Sequence, residues 1–175
     1  MPGMRRLIAA TLFSLSAGAH AWDLGAVYGE GNHVGIYGVE ARTGQWRSWQ
    51  WGQHWRLSAH GMASVGYWRA REESQYKELW DFGIAPVLRL ERIREGVVPY
   101  FEASIGAHWL SARQINGNRA FSTSFQFGEY VAAGLAFGAR KQWSADLRLH
   151  HVSNGGVENP NPGLTYTAVG LRYAF

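Results

Sequence analysis

The sequence predicts an all-β fold, an eight-stranded antiparallel transmembrane β-barrel of the bacterial outer membrane, on three observations. Apolar and polar residues alternate over eight successive stretches, and no helical period exceeds two turns. The polar face of these stretches carries many charged side chains, which suits a small lumen closed by ion pairs. Tryptophans cluster at strand ends, as at Trp46, Trp49, Trp51 and Trp55, which is typical of an interfacial aromatic girdle.

Residues 1–21 have the pattern of a secretory signal peptide and are not interpreted as part of the fold. Two arginines precede a mostly apolar stretch, 7–15, and Ala19-His20-Ala21 matches the small-x-small pattern of a cleavage site. The apolar stretch is too short for a membrane-spanning helix. Cleavage after Ala21 would leave a single barrel domain, residues 22–175, and we therefore expect an exported protein.

The alternation assigns each side chain to one face of its strand. In the fifth strand, for example, Phe101 and Ile105 oppose Glu102 and His108. The predicted strands are 24–30, 33–42, 54–69, 77–92, 97–111, 121–138, 142–153 and 164–175. The charged residues on the polar face are Arg56, Asp81, Arg89, Glu91, Glu102, Asp146, Arg148 and Arg172.

Two architectures share this alternation, because a soluble barrel buries the apolar face whereas a membrane barrel turns it to lipid. The last residues favour the second, since Tyr173 and the terminal Phe175 resemble the assembly signal of outer-membrane barrels. Eight strands place both termini on the periplasmic side, with short periplasmic turns and longer external loops such as 112–120 and 154–163. The connection 43–53 is longer than a tight turn, and Pro86 predicts a bulge or bend in its strand.

Composition excludes several classes of function. Without Arg5 and Arg6, 15 basic and 13 acidic residues remain, scattered with no basic stripe, which excludes a nucleic-acid partner. Cysteine is absent, so neither a disulfide framework nor a cysteine-based metal site is available. The histidines show no metal-ligand spacing, and we expect no metal and no cofactor.

The segment 147–153, LRLHHVS, places polar residues at the outer end of the seventh predicted strand. His151 and Ser153 continue the parity of the lipid-facing leucines, whereas His150 points into the lumen. Residues two apart on one face have Cα atoms about 7 Å apart, so imidazole can take the hydroxyl proton and activate a nucleophile. The alternative, polar side chains that simply meet lipid headgroups, stays open on position alone.

A longer stretch, 151–164, HVSNGGVENPNPGL, closely resembles the signature of the lipid A 3-O-deacylase (PagL-like) family of eight-stranded outer-membrane esterases. The resemblance extends through 84–87, 99–107 and 132–137 and covers most of the mature chain. It implies that Ser153 is the nucleophile and His151 the general base. It also implies that Asn154 and Asn161 hold the developing oxyanion.

The family's triad acid falls on Thr165, which departs from the pattern. A threonine hydroxyl accepts a hydrogen bond from imidazole but carries no negative charge. Either the enzyme uses a Ser/His dyad, or a carboxylate comes from elsewhere. Glu158 lies in the same loop, and Glu129 shares the lipid-facing parity of its strand, where pairing through the turn at 139–141 would bring it opposite His151 or Ser153.

The resemblance implies an esterase of the Gram-negative outer membrane that removes the 3-O-linked acyl chain of lipid A in the outer leaflet. Its substrate would be lipopolysaccharide, reached sideways through the membrane, with apolar grooves between the sixth and eighth predicted strands. Loop residues Arg113 and Arg119 would meet its phosphates. Two alternatives stay open: a non-enzymatic barrel for adhesion or membrane stability, and another lipid enzyme such as an acyltransferase or phospholipase. The sequence leaves monomer and dimer equally open.

Overall fold

The computed structural model of this chain describes residues 22–71, 77–117 and 119–175. The predicted signal peptide, 1–21, lies outside the described residues. No helix in these ranges has the length and hydropathy that a membrane-spanning helix needs. The strands are β1 (Asp23–Gly31), β2 (Val34–Arg42), β3 (Arg47–Trp51), β4 (Trp55–Ala70), β5 (Glu78–Arg92), β6 (Val98–Leu110), β7 (Gln114–Ile115), β8 (Arg119–Ala120), β9 (Phe125–Phe137), β10 (Trp143–Ser153) and β11 (Leu164–Ala174).

Eight long strands form a closed antiparallel barrel in the described part of the chain. The order is β2-β1-β11-β10-β9-β6-β5-β4, and pairing of β2 with β4 closes the ring. Each long strand agrees with its predicted range within four residues. The predicted fold class is therefore confirmed.

The predicted division into two faces is also confirmed. Along β5 and β9, exposed and buried residues alternate without a break over most of the strand. The buried set is largely polar at mid-barrel, and the exposed set is apolar, which is the reverse of a soluble barrel. Large apolar side chains on the outer wall include Ile84, Phe101, Ile105, Val131, Leu147 and Leu149.

Ion pairs fill the middle of the lumen. Arg42 donates to Glu102 at 2.7 Å and Arg148 donates to Glu40 at 2.8 Å, and all four side chains are almost fully buried. Arg172 lies 2.7 Å from Asp146. Buried charges need such partners, because an unpaired ion in this interior would be strongly destabilising. Arg56 was predicted to face the lumen with the other charged residues. It forms an ion pair with Glu91, but at the periplasmic rim, where its side chain is 49% exposed.

An apolar cluster closes the external half of the lumen. The side chains of Trp68, Ile115 and Phe121 are buried together there. Ile115 and Phe121 come from the β7–β8 hairpin of the long external loop, which folds inward over the barrel mouth. The loops at this end therefore rest on packed side chains.

The connection 43–53 is explained by β3, which the sequence analysis did not predict. β2 leaves its pairing with β4 after Arg42, opposite Met62, and β3 resumes it at Arg47, opposite Ala59. Four residues of the β2–β3 side thus face two residues of β4, which produces a two-residue bulge. β3 and the start of β4 form a hairpin at the periplasmic end, with Trp49 and Trp51 exposed.

Pro86 interrupts pairing without inserting a residue. β5 pairs with β6 at Ile84–Ala107 and again at Val87–Ser104, in unchanged register. The Ser104 hydroxyl donates to the Pro86 carbonyl at 2.8 Å, so that acceptor is satisfied within the gap in the ladder. Of the bulge or bend predicted at Pro86, the bulge is absent, and the ladder is interrupted there instead.

Candidate active site

β10 carries His151 and Ser153 to the outer end of the barrel. Both side chains are half-buried and face outward, on the same side as Leu147 and Leu149, whereas His150 is buried in the lumen. β10 runs from a short periplasmic turn to a long external loop, so its last residues lie near the external membrane surface. The predicted orientation of these residues is confirmed.

The imidazole of His151 is held from two sides. Its Nδ1 lies 2.7 Å from the hydroxyl oxygen of Thr165, its direct cross-strand neighbour. On the other side the ring lies against Gly163, where an added Cβ would stand 2.8 Å from Cε1 and 3.1 Å from Nε2. Gly163 also has a φ of 56°, which favours glycine. The ring is thus held with Nδ1 hydrogen-bonded to Thr165. Nε2 is therefore the nitrogen that can contact a substrate or Ser153.

Ser153 is the last residue of β10 and lies opposite Phe127 of β9. No hydrogen bond joins its hydroxyl to His151 in the described structure. The two residues share one face, two positions apart, and a Cα separation of about 7 Å allows their side chains to form a hydrogen bond when they turn towards each other. Catalytic hydrogen bonds are often open in free enzymes and form with the substrate.

The two candidate oxyanion residues differ in how their amides are used. Asn154 is 1% exposed, and its Nδ2 donates to the Ser122 hydroxyl and to the Glu158 carbonyl, each at 2.7 Å. Asn161 accepts a hydrogen bond from the Asn154 backbone at 3.1 Å through its Oδ1. Within the described ranges the Nδ2 of Asn161 has no partner. The side-chain amide of Asn154 is therefore used in hydrogen bonds that hold the loop. The side-chain amide of Asn161 retains a free donor.

The two candidate acids, Glu129 and Glu158, and Thr165 at the family's acid position differ in how they meet the base. Glu129, predicted to lie opposite His151 or Ser153, is the direct partner of His151 on the β9 side, and its side chain is exposed. No hydrogen bond joins Glu129 to His151 in the described structure. Glu158 is exposed in the loop, and its backbone carbonyl, rather than its carboxylate, holds Asn154. Among these candidates, only Thr165 contacts the imidazole directly.

Comparison with known proteins decides the family. A model of the lipid A 3-O-deacylase (PagL) family matches residues 35–174. The chain is 32% identical over 154 residues to a lipid A deacylase PagL of Pseudomonas aeruginosa, covering 85% of this chain and 83% of that protein. A Bordetella bronchiseptica lipid A deacylase PagL is 31% identical over 152 residues, covering 85% and 80%. The chain belongs to the lipid A 3-O-deacylase (PagL) family.

Solved structures agree with the fold of this PagL-family chain. It matches the crystal structure of the outer membrane enzyme PagL with a TM-score of 0.76 at 24% identity, covering 87% of this chain and 99% of that one. The N-terminal β-barrel domain of Pseudomonas aeruginosa OprF matches with a TM-score of 0.50 at 13% identity, covering 89% and 97%. The chain is an outer-membrane β-barrel.

Two residues that support the site were not identified from the sequence as parts of it. The Ser122 hydroxyl donates to the Glu158 carbonyl at 2.9 Å and receives the Asn154 amide. Arg119, expected to meet lipid phosphates, instead donates to the carbonyls of Pro162 and Gly163. Partial burial lowers the pKa of the Arg119 guanidinium. Arg119 and Ser122 come from the β7–β8 region, so no local pattern around His151 points to them.

An apolar groove lies on the outer wall of the PagL-family barrel beneath the candidate site. It has a volume of about 390 Å³ and starts at Leu149 and Thr167, just below His151. From there it descends towards the middle of the membrane along β9 and β10. The small side chain of Ala133 gives it depth. Its walls include Phe101, Val131 and Leu147.

Proposed function

We propose that this chain is an esterase that hydrolyses the 3-O-linked acyl chain of lipid A, with Ser153 as nucleophile and His151 as general base. The observation that carries the proposal is the position of His151 and Ser153 on the lipid-facing wall, at the external end of β10 and directly above an apolar groove. Membership of the lipid A 3-O-deacylase family supports the reaction and the substrate class.

The proposed reaction uses the two groups of the site that are free to react, Nε2 of His151 and the hydroxyl of Ser153. Nε2 of His151 takes the proton of the Ser153 hydroxyl while the oxygen attacks the ester carbonyl carbon. The tetrahedral intermediate then collapses with cleavage of the bond between the carbonyl carbon and the sugar oxygen. The sugar oxygen leaves as a hydroxyl by taking the proton from His151. Water activated by the same nitrogen then releases the fatty acid and restores Ser153.

Asn161 is the proposed oxyanion donor. Its side-chain oxygen is anchored by the Asn154 backbone, which leaves Nδ2 to face a substrate oxygen. A fixed amide donor is most effective where water is excluded, and a lipid-covered ester satisfies that condition. Asn154 then acts as a positioning residue, because its own amide holds the loop.

We assign Thr165 and Glu129 separate parts of the role that one carboxylate fills in a Ser-His-Asp triad. Thr165 orients the imidazole through Nδ1. Glu129 lies across the strand pair, with a Cα separation of about 4.5–5.5 Å expected for such partners. A carboxylate on the neighbouring strand can stabilise the positive charge that develops on the imidazole when His151 takes the serine proton. Thr165 thus orients the His151 ring, and Glu129 supplies the negative charge that stabilises it after it takes the proton.

The groove under the site accounts for the substrate. An acyl chain whose ester lies at Ser153 would run down the outer wall past Leu149 and Leu147, in the same direction as the chains of the surrounding lipid. A lipid that diffuses in the outer leaflet can enter this groove sideways. The barrel lumen, filled by ion pairs and an apolar cluster, is not needed for access.

Mass analysis of lipid A from a Gram-negative host that expresses the chain tests the proposal. The expected result is loss of one 3-hydroxyacyl unit, and Ser153→Ala should abolish it with the barrel still folded in the membrane. A gain of an acyl unit would indicate an acyltransferase. Unchanged lipid A with correctly folded wild-type protein would indicate a non-enzymatic barrel.

A further inference from the structure

A second apolar groove lies on the opposite side of the barrel, where β2 and β3 meet β4 and β5. Its volume is about 420 Å³, within the range of about 300–1,000 Å³ usual for small-molecule sites. In the ring of eight strands, β4 is separated from β10 by β5, β6 and β9, so this groove does not touch the candidate active site. Its lining includes Trp22, Trp46, Gly61, Ala63, Ile84 and Pro86.

The two-residue bulge between β2 and β3 creates this groove. Thr43 still pairs with Gly61, and its hydroxyl accepts the Gly61 backbone N–H at 2.9 Å. The Trp46 ring packs directly on Gly61. A Cβ added to Gly61 would lie 2.1 Å from Cζ2 of Trp46. A glycine at this position is therefore required for the ring to rest on the strand. The Trp46 indole forms one wall of the groove, and Gly61 and Ala63, which have no bulky side chains, form its floor.

The groove runs in the direction of a lipid tail of the periplasmic leaflet. Trp22 precedes the first residue of β1 and Trp46 follows the end of β2, so both lie at the periplasmic end. Ala63 and Ile84 lie near the middle of their strands and face outward, Ile84 with 67% exposure. One end of the groove is thus at the level of lipid headgroups and the other is in hydrocarbon.

A cation lies at the headgroup end. Arg47 pairs with Ala59 in the register of β3 and β4, so it faces outward beside Trp46. Its side chain is exposed, and no carboxylate in the described ranges pairs with it. Basic side chains at a membrane surface attract lipid phosphates. The indole rings beside it suit the same boundary, because tryptophan prefers the level between headgroups and hydrocarbon.

We propose that this groove binds a glycerophospholipid of the periplasmic leaflet, with one acyl chain along Gly61 and Ala63 and the phosphate at Arg47. The occupant is a phospholipid because the charged mouth is on the periplasmic side, whereas lipopolysaccharide occupies the external leaflet. A lipid held here would anchor the β3–β4 hairpin at the membrane boundary.

Native mass spectrometry of the folded full-length protein, titrated with phosphatidylglycerol, tests this site. Ala63→Phe fills the floor and Arg47→Glu reverses the charge, and each should weaken retention of the first lipid about fivefold or more. Two matched variants are controls: Ala103→Phe on the exposed wall of β6 and Arg140→Glu in a periplasmic turn. Both should stay within about twofold of wild type.

A parallel titration with phosphate-free diacylglycerol separates the two contacts. Wild type should prefer the phospholipid, and Arg47→Glu should remove that preference while Ala63→Phe weakens both lipids. Lipid A deacylation should be unchanged in Ala63→Phe, Arg47→Glu and Arg140→Glu, so this test is independent of the proposed reaction. Equal retention by the groove variants and their controls would overturn the proposal, and so would displacement of the phospholipid by purified lipid A.

Discussion

His151 and Thr165 are direct cross-strand neighbours on the lipid-facing wall, and Nδ1 of the imidazole lies 2.7 Å from the threonine hydroxyl. The contact orients the ring as the acid of a catalytic triad does, but the threonine carries no charge. A hydroxyl cannot stabilise imidazolium by charge, which is the second role of a triad carboxylate. Orientation and charge stabilisation are thus separated in this site.

Substitution of Thr165 should separate these two roles. Thr165→Val removes the acceptor and keeps the shape, and we expect deacylation to fall about tenfold, the cost of one neutral hydrogen bond. Thr165→Glu adds an ionised acceptor and should raise the rate above wild type. Initial rates on purified lipid A in detergent measure both. If the valine variant matches wild type, the Thr165 contact has no part in catalysis.

Glu129→Gln tests the charge on the other side of His151. Because the proposed interaction is electrostatic and only partly screened at the membrane boundary, we expect kcat to fall about fivefold to tenfold with little change in KM. Glu158→Gln is the matched control, since that carboxylate is exposed in the loop while only its backbone carbonyl holds Asn154. Equal rates for the two variants would remove Glu129 from the site.

The barrel and the position of the site could be predicted because both depend on local alternation. A period of two fixes which residues face lipid, and the short turn at 138–142 fixes the register of β9 with β10. That register predicts Glu129 opposite His151 or Ser153, and in the structure Glu129 pairs with His151. The inward charges Glu102, Asp146 and Arg148 follow from the same parity.

Features that depend on contacts distant in sequence could not be predicted. The turn of the His151 ring towards Thr165 rather than Glu129 depends on Gly163, where only the missing side chain leaves room for the ring. Arg119 and Ser122 reach the site because the external loop folds over an apolar cluster. β3 was missed because a two-residue bulge breaks the alternation in front of it.

Asn161 and Asn154 should respond differently to alanine. Asn161→Ala removes the free amide donor, and we expect kcat to fall about 10²-fold. It also removes the acceptor of the Asn154 backbone N–H, so the free energy of unfolding should fall by about 0.5–1.5 kcal/mol. Asn154→Ala leaves the Ser122 hydroxyl and the Glu158 carbonyl without their shared donor. That loss should destabilise the loop by about 1–3 kcal/mol and expose it to limited proteolysis. The assignment is wrong if Asn154→Ala keeps the loop protected while it removes activity as strongly as Asn161→Ala.

Gly163 and Gly156 offer a matched pair within one loop. Both have positive φ, 56° and 81°, so alanine introduces backbone strain of about 1–3 kcal/mol at either position. They differ in what a Cβ would meet, because Gly156 has no neighbouring atom within 4 Å whereas Gly163 faces the His151 imidazole at 2.8 Å. Gly163→Ala should therefore lower deacylation at least tenfold more than Gly156→Ala, since an added methyl group displaces the base from its position. Comparable losses in both variants would mean that loop strain, rather than the position of the ring, limits the reaction.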